Sequence, residues 1–179
     1  EMLLAIWALA VLAAAVSCEE AVLESRTLGV TAGPAACTSG HVQAVRALTG
    51  RVLGQDAAAH FTFSCTACPT GTCSFFEISP SRALEPIKIA GTSGVALASG
   101  LHWYLKYTCS MSLLYGRIPL VPEGAVPSVW PQVEQRVQMR SPVTWQYYMN
   151  VVTHSYSAAW WSWERWQAEI DWMAMMGIN

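Results

Sequence analysis

The spacing of apolar residues changes along the chain between the period of helices and that of strands. Between residues 41 and 53 apolar positions recur every three or four residues, which predicts an amphipathic helix capped by Ser39 and ended by Gly54. Three short stretches then alternate apolar and polar residues, which predicts half-buried strands. Their apolar positions are Phe61, Phe63, Cys65, Phe76, Ile78, Ile87 and Ile89.

A second helix is predicted to follow these strands, with Thr92 or Ser93 as its cap. Its buried side would hold Leu97, Leu101, Leu105 and Thr108. Met111, Leu113 and Tyr115 then alternate along the chain, which predicts a fourth strand. The order helix, three strands, helix, strand predicts a small N-terminal α/β sandwich domain over residues 35–117.

Residues 118–142 interrupt every period and predict a Pro-rich linker between two domains. The interruptions are Pro119, Pro122, Pro127, Pro131 and Pro142.

The last part of the chain, residues 143–179, predicts the opening βα unit of a parallel sheet. A nearly continuous apolar run over residues 144–153 is typical of a strand buried on both faces. A helix is predicted from about Ser157 to Met176, with Glu164 well placed in its first turn. One face of this helix is lined by Trp163, Trp166, Ile170 and Met173. Such a unit is not stable alone, because its strand needs neighbours to pair with.

Composition and charge restrict the classes of protein. The chain has 179 residues, is 53% hydrophobic, has a mean hydropathy of +0.30 and carries a net charge of −2. It offers no basic stripe that would follow phosphates, so we expect no nucleic-acid partner. The apolar run over residues 2–16 has the length of a signal-peptide core, and Ala15 and Ser17 supply small residues for cleavage near Cys18. We therefore predict a signal peptide over residues 1–18, the secretory route and no stable membrane span after cleavage; a buried core helix is the alternative.

The cysteines allow two interpretations. Cys65, Cys68 and Cys73 with His60 could clamp a zinc ion, but a second matched pair is missing. In a secreted chain disulfides are favoured, and loss of Cys18 would leave an odd number of cysteines.

Candidate sugar-binding residues lie where the predicted strand of residues 144–153 ends, which is where barrels bind ligands. Asn150 could bond sugar hydroxyls or an acetamido group, or it could satisfy the backbone; the residues alone leave both open. His154 follows the same strand end, and Trp160 and Trp161 could stack on a sugar ring. The acidic residues of the last helix predict a solvated or salt-bridged face rather than a catalytic pair. They are Glu164, Glu169 and Asp171.

Four runs closely resemble the alpha-N-acetylglucosaminidase family. They are Tyr-Tyr-Met-Asn-Val-Val-Thr-His-Ser-Tyr-Ser over residues 147–157, Trp-Trp-Ser-Trp-Glu-Arg-Trp over 160–166, Glu-Ile-Asp-Trp-Met-Ala over 169–174 and, upstream, Gly-Val-Ala-Leu-Ala-Ser-Gly-Leu-His-Trp-Tyr-Leu over 94–105. The resemblance implies an α+β sandwich domain followed by the first βα unit of a (β/α)₈-type barrel, with residues 143–179 starting the barrel. It also implies retaining hydrolysis of terminal alpha-linked N-acetylglucosamine, in animals from lysosomal heparan sulfate.

Within this resemblance, Asn150 matches an asparagine that lines the family's sugar pocket, and Val152 matches a pocket position held by Cys in the animal enzymes. His154 and Ser162 depart from the family, which more often has Gln or Ser at the first position and Asp at the second. Both catalytic glutamates of the family lie downstream of residue 179, so this chain alone is expected to be inactive. No cofactor and no metal are expected, the partner is a glycan with terminal N-acetylglucosamine, and a homo-oligomer of the full-length enzyme is compatible with the resemblance.

Two hypotheses of different class make opposite predictions about the tail. A fragment of a hydrolase exposes its Trp-rich helix and aggregates when isolated. A truncated, non-catalytic module with an interaction or sugar-binding role must pack that helix on its own N-terminal domain. The buried strand without a partner favours the fragment.

Overall fold

The fold described here comes from a computed structural model that covers residues 36–71, 73–122, 124–150 and 152–179. The signal peptide predicted over residues 1–18 lies outside these described residues. In chain order the elements are α1 (Ser39–Leu53), α2 (Gln55–Ala58), β1 (Phe61–Cys65), β2 (Phe75–Ile78), β3 (Ile87–Gly91), α3 (Gly94–Tyr107), β4 (Val137–Arg140) and α4 (Trp163–Met175). The first long helix, the three alternating strands and the second long helix are confirmed.

Local hydrogen bonds explain where the two long N-terminal helices begin. The cap of α1 is Thr38 rather than the predicted Ser39, and its backbone N–H donates to His41 Nδ1 over 3.0 Å. The cap of α3 is Ser93, whose Oγ accepts from Ala96 N over 3.1 Å. Thr92 is not a cap; its hydroxyl accepts from the N–H of Phe75 over 3.0 Å and so serves β2.

The sheet is mixed and has the strand order β1-β3-β2-β4. β1 and β3 are parallel, whereas β2 pairs antiparallel with both β3 and β4. The prediction of a fourth strand at residues 111–115 is wrong. That segment turns back instead: Met111 N donates to Leu105 O over 2.8 Å and Leu114 N to Leu120 O over 2.6 Å. The fourth strand of the sheet is instead β4, which pairs with the edge of β2.

The prediction of a linker over residues 118–142 is wrong for its second half, because β4 and the residues before it belong to the domain. Trp130 packs edge-on against Phe61, with ring centroids 4.9 Å apart. The Tyr104 hydroxyl donates to Pro131 O over 2.6 Å, and Val133 is buried. Prolines break the helical and strand periods here, but the apolar residues between them are still buried.

The core lies between one face of the sheet and the helices α1 and α3. Inward residues of the sheet include Phe63, Ile87 and Ile89, whereas Lys88 points to solvent. α3 is the most deeply buried element, with Leu97, Leu101, Tyr104 and Leu105 fully inaccessible. It approaches the sheet closely at Gly100, where an added Cβ would lie 2.7 Å from Ile89 Cγ2.

The strand predicted over residues 144–153 is not formed by the described residues of that range. Residues 144–150 are irregular and residues 152–160 form a succession of turns, so that α4 begins at Trp163 rather than near Ser157. No described strand lies beside this segment, and an unpaired strand leaves its backbone groups without partners. Its bonds go instead to Asn179, whose Oδ1 accepts from Gln146 N and whose Nδ2 donates to Thr144 O, each over 2.8 Å.

The periodicity predicted an apolar face on α4, but that face does not turn inward. Trp163 is 64% exposed and Ile170 is 44% exposed, while Glu169, Asp171 and Met175 are buried. The helix therefore rests on the domain by the side that carries Asp171 and Met175, whereas Glu169 is buried on another side beside Arg165 of the same helix. Within the described residues, no helix has both the length and the apolar character that a membrane-crossing segment requires.

We predict that Gly100→Ala lowers the free energy of unfolding by about 1–3 kcal/mol, because the new methyl group must displace Ile89 and Phe76 in a filled core. Urea unfolding followed by far-UV circular dichroism measures this change.

The matched control for Gly100→Ala is Gly40→Ala in the first turn of α1. The nearest atom to its added Cβ, Thr38 Oγ1, is 3.6 Å away, which is ordinary contact. We expect no loss, or a gain of up to about 1 kcal/mol, because alanine favours a helix over glycine. Equal losses in both variants would contradict a close approach at Gly100.

We predict that His102 makes stability fall on acidification. Burial lowers the pKa of His102, the charge of Lys106 lowers it further, and a backbone hydrogen bond at Met175 opposes them. The unfolded chain therefore binds a proton at pH values where the folded protein does not. The contribution of His102 to the free energy of unfolding is complete above about pH 6.5. It is lost as the pH falls toward the lowered pKa.

The measurement is the Tm of the chain at a series of pH values between 7.5 and 5. His102→Gln should flatten the decline in Tm, and Lys106→Gln should flatten it in part. An unchanged decline in His102→Gln would contradict the assignment.

Candidate functional site

The predicted site residues Asn150 and Val152 lie close together where the irregular segment of residues 145–150 ends and a turn begins. Asn150 is exposed and Val152 is 58% exposed. Asn150 Oδ1 accepts from Val152 N and from Thr153 Oγ1, each over 3.1 Å. This side chain therefore stabilises its own turn, and its Nδ2 makes no hydrogen bond to a described residue. We call Asn150 together with residues 152–154 the Asn150 turn.

The C-terminal end of the Asn150 turn rests on α4 through aromatic rings. His154 stacks on Trp166 with ring centroids 5.9 Å apart and an interplanar angle of 18°. Trp161 meets the same ring edge-on at 4.9 Å, and the Arg165 guanidinium lies 4.0 Å above the Trp161 ring. His154 and Trp161 therefore belong to one cluster. Trp160 does not join it and is 95% exposed.

The N-terminal end of the turn is held by Tyr148. Its ring packs against Trp172 at 5.2 Å, and its hydroxyl is hydrogen-bonded to that of Tyr115. Tyr115 also packs on Trp172 at 4.9 Å. Burial raises the pKa of Tyr148, and the nearby hydroxyl of Tyr115 and carboxylate of Glu169 raise it further, so this phenol stays protonated.

The acidic residues of α4 are engaged in ion pairs or capping, as the salt-bridged interpretation predicts. Arg51 binds Asp171 as a fork, with Nε to Oδ2 at 2.8 Å and Nη2 to Oδ1 at 2.7 Å. Arg165 Nη2 lies 2.6 Å from Oε2 of the buried Glu169. Glu164 is exposed in the first turn, where a hydrogen bond with Ser162 and its own backbone N–H lower its pKa. This arrangement supplies no pair of free carboxylates for glycoside hydrolysis.

Four of the five cysteines that the structure describes form disulfides and not a zinc site. Cys37 is bonded to Cys65, and Cys68 to Cys73. The zinc interpretation is wrong because the sulfurs that it needs are covalently paired. His60 lies instead beside Trp130, with ring centroids 5.8 Å apart. Cys109 is free and half-buried, and burial raises the pKa of its thiol.

Several residues of this site carried no signal in the sequence. The alternation of residues 111–115 predicts a strand that includes Tyr115, and Arg51 lies 120 residues before its partner Asp171. Their roles depend on contacts between distant segments. For Arg165 a local signal exists, since it stands four residues before Glu169 on a helix, which is the spacing of an ion pair.

Several large aromatic and apolar residues between positions 145 and 170 are exposed, and we call this set the aromatic outer face. Its members are Trp145, Tyr147, Val152, Tyr156, Trp160, Trp163 and Ile170. Large exposed apolar sets of this kind mark surfaces that other protein segments or ligands cover.

Comparisons with known proteins assign the two parts of the chain to one family. Residues 43–123 match the N-terminal domain of alpha-N-acetylglucosaminidase, and residues 146–179 match its tim-barrel domain. The human alpha-N-acetylglucosaminidase is 36% identical over 168 residues, covering 89% of this chain and 22% of the human protein.

Solved structures agree with this assignment. A family 89 glycoside hydrolase from Clostridium perfringens in complex with PUGNAc superposes with a TM-score of 0.67 and 33% identity, over 78% of this chain and 15% of that one. A variant of the Clostridium perfringens enzyme in complex with its substrate GlcNAc-alpha-1,4-galactose gives the same values. The chain therefore has the fold of the start of a family 89 glycoside hydrolase with a tim-barrel domain.

The chain belongs to the alpha-N-acetylglucosaminidase family. It spans 22% of the length of its human relative and 15% of the bacterial one.

Proposed function

We propose that this chain is the N-terminal part of a glycoside hydrolase that removes terminal alpha-linked N-acetylglucosamine from glycans such as heparan sulfate. The observation that carries the proposal is the match of residues 146–179 to the tim-barrel domain of the family. That segment contains the Asn150 turn, so this chain contributes to the substrate pocket and not only to the folding of the enzyme.

In this proposal the chain binds and orients sugar, and the rest of the protein supplies the reacting groups. The mechanism is retaining and uses two carboxylates that lie beyond residue 179. Glu169 and Asp171 do not substitute for them, because arginines hold both in ion pairs. The chain by itself is therefore inactive.

Asn150 is the residue through which the chain contacts substrate. Its Oδ1 is occupied by its own turn, which fixes the orientation of the amide, and its Nδ2 makes no hydrogen bond to a described residue and is available as a donor. A donor of this kind suits a sugar hydroxyl or the carbonyl of an acetamido group. Val152, two residues on, provides an apolar wall that suits the acetyl methyl group.

The aromatic outer face is the surface that the remainder of the barrel covers. Trp163 and Ile170 lie on the outward side of α4. In a (β/α)₈ barrel each helix packs against the sheet and against neighbouring helices, so a first helix has apolar residues on more than one side. Covering this face removes from water the apolar area that the chain alone exposes.

We propose that the protein enters the secretory pathway and functions in a lysosome, a vacuole or the extracellular space. The apolar run over residues 2–16 supports entry. The disulfides Cys37–Cys65 and Cys68–Cys73 support an oxidising compartment, because such bonds persist there and are rare in the cytosol.

A second function is favoured by one observation, namely the fork between Arg51 and Asp171. This ion pair docks α4 on the N-terminal domain without any further segment. A short product could therefore fold as a non-catalytic secreted module with a sugar-binding or interaction role.

The test of the proposed function uses the full-length protein and the substrate 4-nitrophenyl alpha-N-acetylglucosaminide. We expect hydrolysis, and we expect Asn150→Ala to raise KM about 5–10-fold, the size of one lost hydrogen bond to a neutral group. The control is Gln135→Ala, at an exposed position before β4, which should leave KM unchanged. The isolated chain should release no nitrophenol.

Two other results would contradict parts of this proposal. A full-length protein that binds N-acetylglucosamine but does not hydrolyse the substrate would overturn the hydrolase and favour the module. Hydrolysis with an unchanged KM in Asn150→Ala would retain the hydrolase and remove Asn150 from its pocket.

A further inference from the structure

The Asn150 turn is held at both ends by two tryptophans of α4. Tyr148, just before the turn, packs on Trp172 at 5.2 Å. His154, at its end, stacks on Trp166 at 5.9 Å. The position of Asn150 therefore depends on how these two rings are fixed on the helix.

The Trp166 ring is fixed through a chain of contacts that begins at a buried charge. Glu169 is 1% exposed, and its Oε2 lies 2.6 Å from Arg165 Nη2. The Arg165 guanidinium lies over the Trp161 ring, with Cζ 4.0 Å from the ring centroid, and Trp161 meets Trp166 edge-on at 4.9 Å. Each contact in this series restricts the next, from the carboxylate to the ring on which His154 stacks.

The Arg165 and Glu169 pair is poorly arranged for stability alone. Arg165 Nη1 is buried and makes no hydrogen bond to a described residue. Buried polar atoms without partners cost stability, and native proteins retain few of them. The pair also does not join α4 to α1. Arg51 and Asp171 make that connection.

We propose that Arg165, held by Glu169, is a positioning residue that sets the orientation of the Asn150 turn for sugar binding. This inference rests on the proposed function, in which Asn150 contacts N-acetylglucosamine. The role requires a planar cation, since a guanidinium can stack on an indole ring and pair with a carboxylate at the same time, whereas an ammonium group cannot keep both contacts in one plane.

The proposal is tested by the kinetics of Arg165→Lys in the full-length protein with 4-nitrophenyl alpha-N-acetylglucosaminide. We expect KM to rise at least 5-fold with kcat within 2-fold of wild type, because binding is disturbed and the reacting carboxylates are not. In an Asn150→Ala background the same substitution should change KM less than 2-fold, since its effect passes through Asn150.

The matched control is Arg51→Lys, which disturbs the other ion pair of α4. The substitution removes the fork to Asp171 and should lower Tm while leaving KM within 2-fold of wild type. It shows whether a loss of stability by itself alters KM.

Three results would overturn the proposal. The first is an unchanged KM in Arg165→Lys while Asn150→Ala raises KM, which leaves the proposed function in place. The second is an equal rise in KM for Arg165→Lys and Arg51→Lys, which would mean a general effect of stability. The third is an unchanged KM in both Arg165→Lys and Asn150→Ala, or no hydrolysis at all, in which case the assignment of Asn150 or the proposed function fails as well.

Discussion

The fork between Arg51 and Asp171 determines which side of α4 faces the rest of the molecule. Asp171 is 5% exposed, and a carboxylate so buried is tolerated only when a cation and hydrogen bonds compensate for its lost water. Arg51 provides both through two hydrogen bonds of 2.8 and 2.7 Å. With this side turned inward, Trp163 and Ile170 must point outward. The exposure of Trp163 and Ile170 is thus a consequence of one ion pair between the first long helix and the last.

This ion pair can act only because α3 holds both helices in place. α3 is buried against the sheet, where Gly100 allows the helix backbone to approach Ile89. On its other side the Ser99 hydroxyl reaches Ala174 O at 3.5 Å, and Met175 is buried near it. The sheet therefore supports α3, α3 supports α4, and the Asn150 turn packs on α4.

The features that the sequence predicts are those that depend on neighbouring residues. Alternation around Phe61 and Ile87 identifies strands because one face of the sheet is buried, and Ser93 identifies the start of α3 because capping is local. β4 was missed because its four residues become a strand only through pairing with β2, far away along the chain. The strand expected at residues 144–153 fails for the same reason, since it has no described partner.

The candidate site also has features that the sequence predicts and features that depend on contacts between distant segments. Asn150 and Val152 could be named because a family motif surrounds them, and the structure brings them into one turn. The orientation of α4 could not be derived, because the period of Trp163, Trp166 and Ile170 marks an apolar face without stating what covers it. An apolar face normally turns toward the core of its own domain. Here the ion pair between Arg51 and Asp171 opposes that preference, and Trp163 and Ile170 stay exposed.

Oxidative footprinting of the chain alone and of the full-length protein tests the orientation of α4 and the cover on its outer face together. The chain alone should be oxidised rapidly at Trp160 and Trp163, which are 95% and 64% exposed, and slowly at Met175, which is 1% exposed. In the full-length protein Trp163 should become protected. Rapid oxidation of Met175 in the chain, or a Trp163 that reacts equally fast in both proteins, would contradict an α4 that docks by the side of Asp171 and Met175 and offers its aromatic side to the barrel.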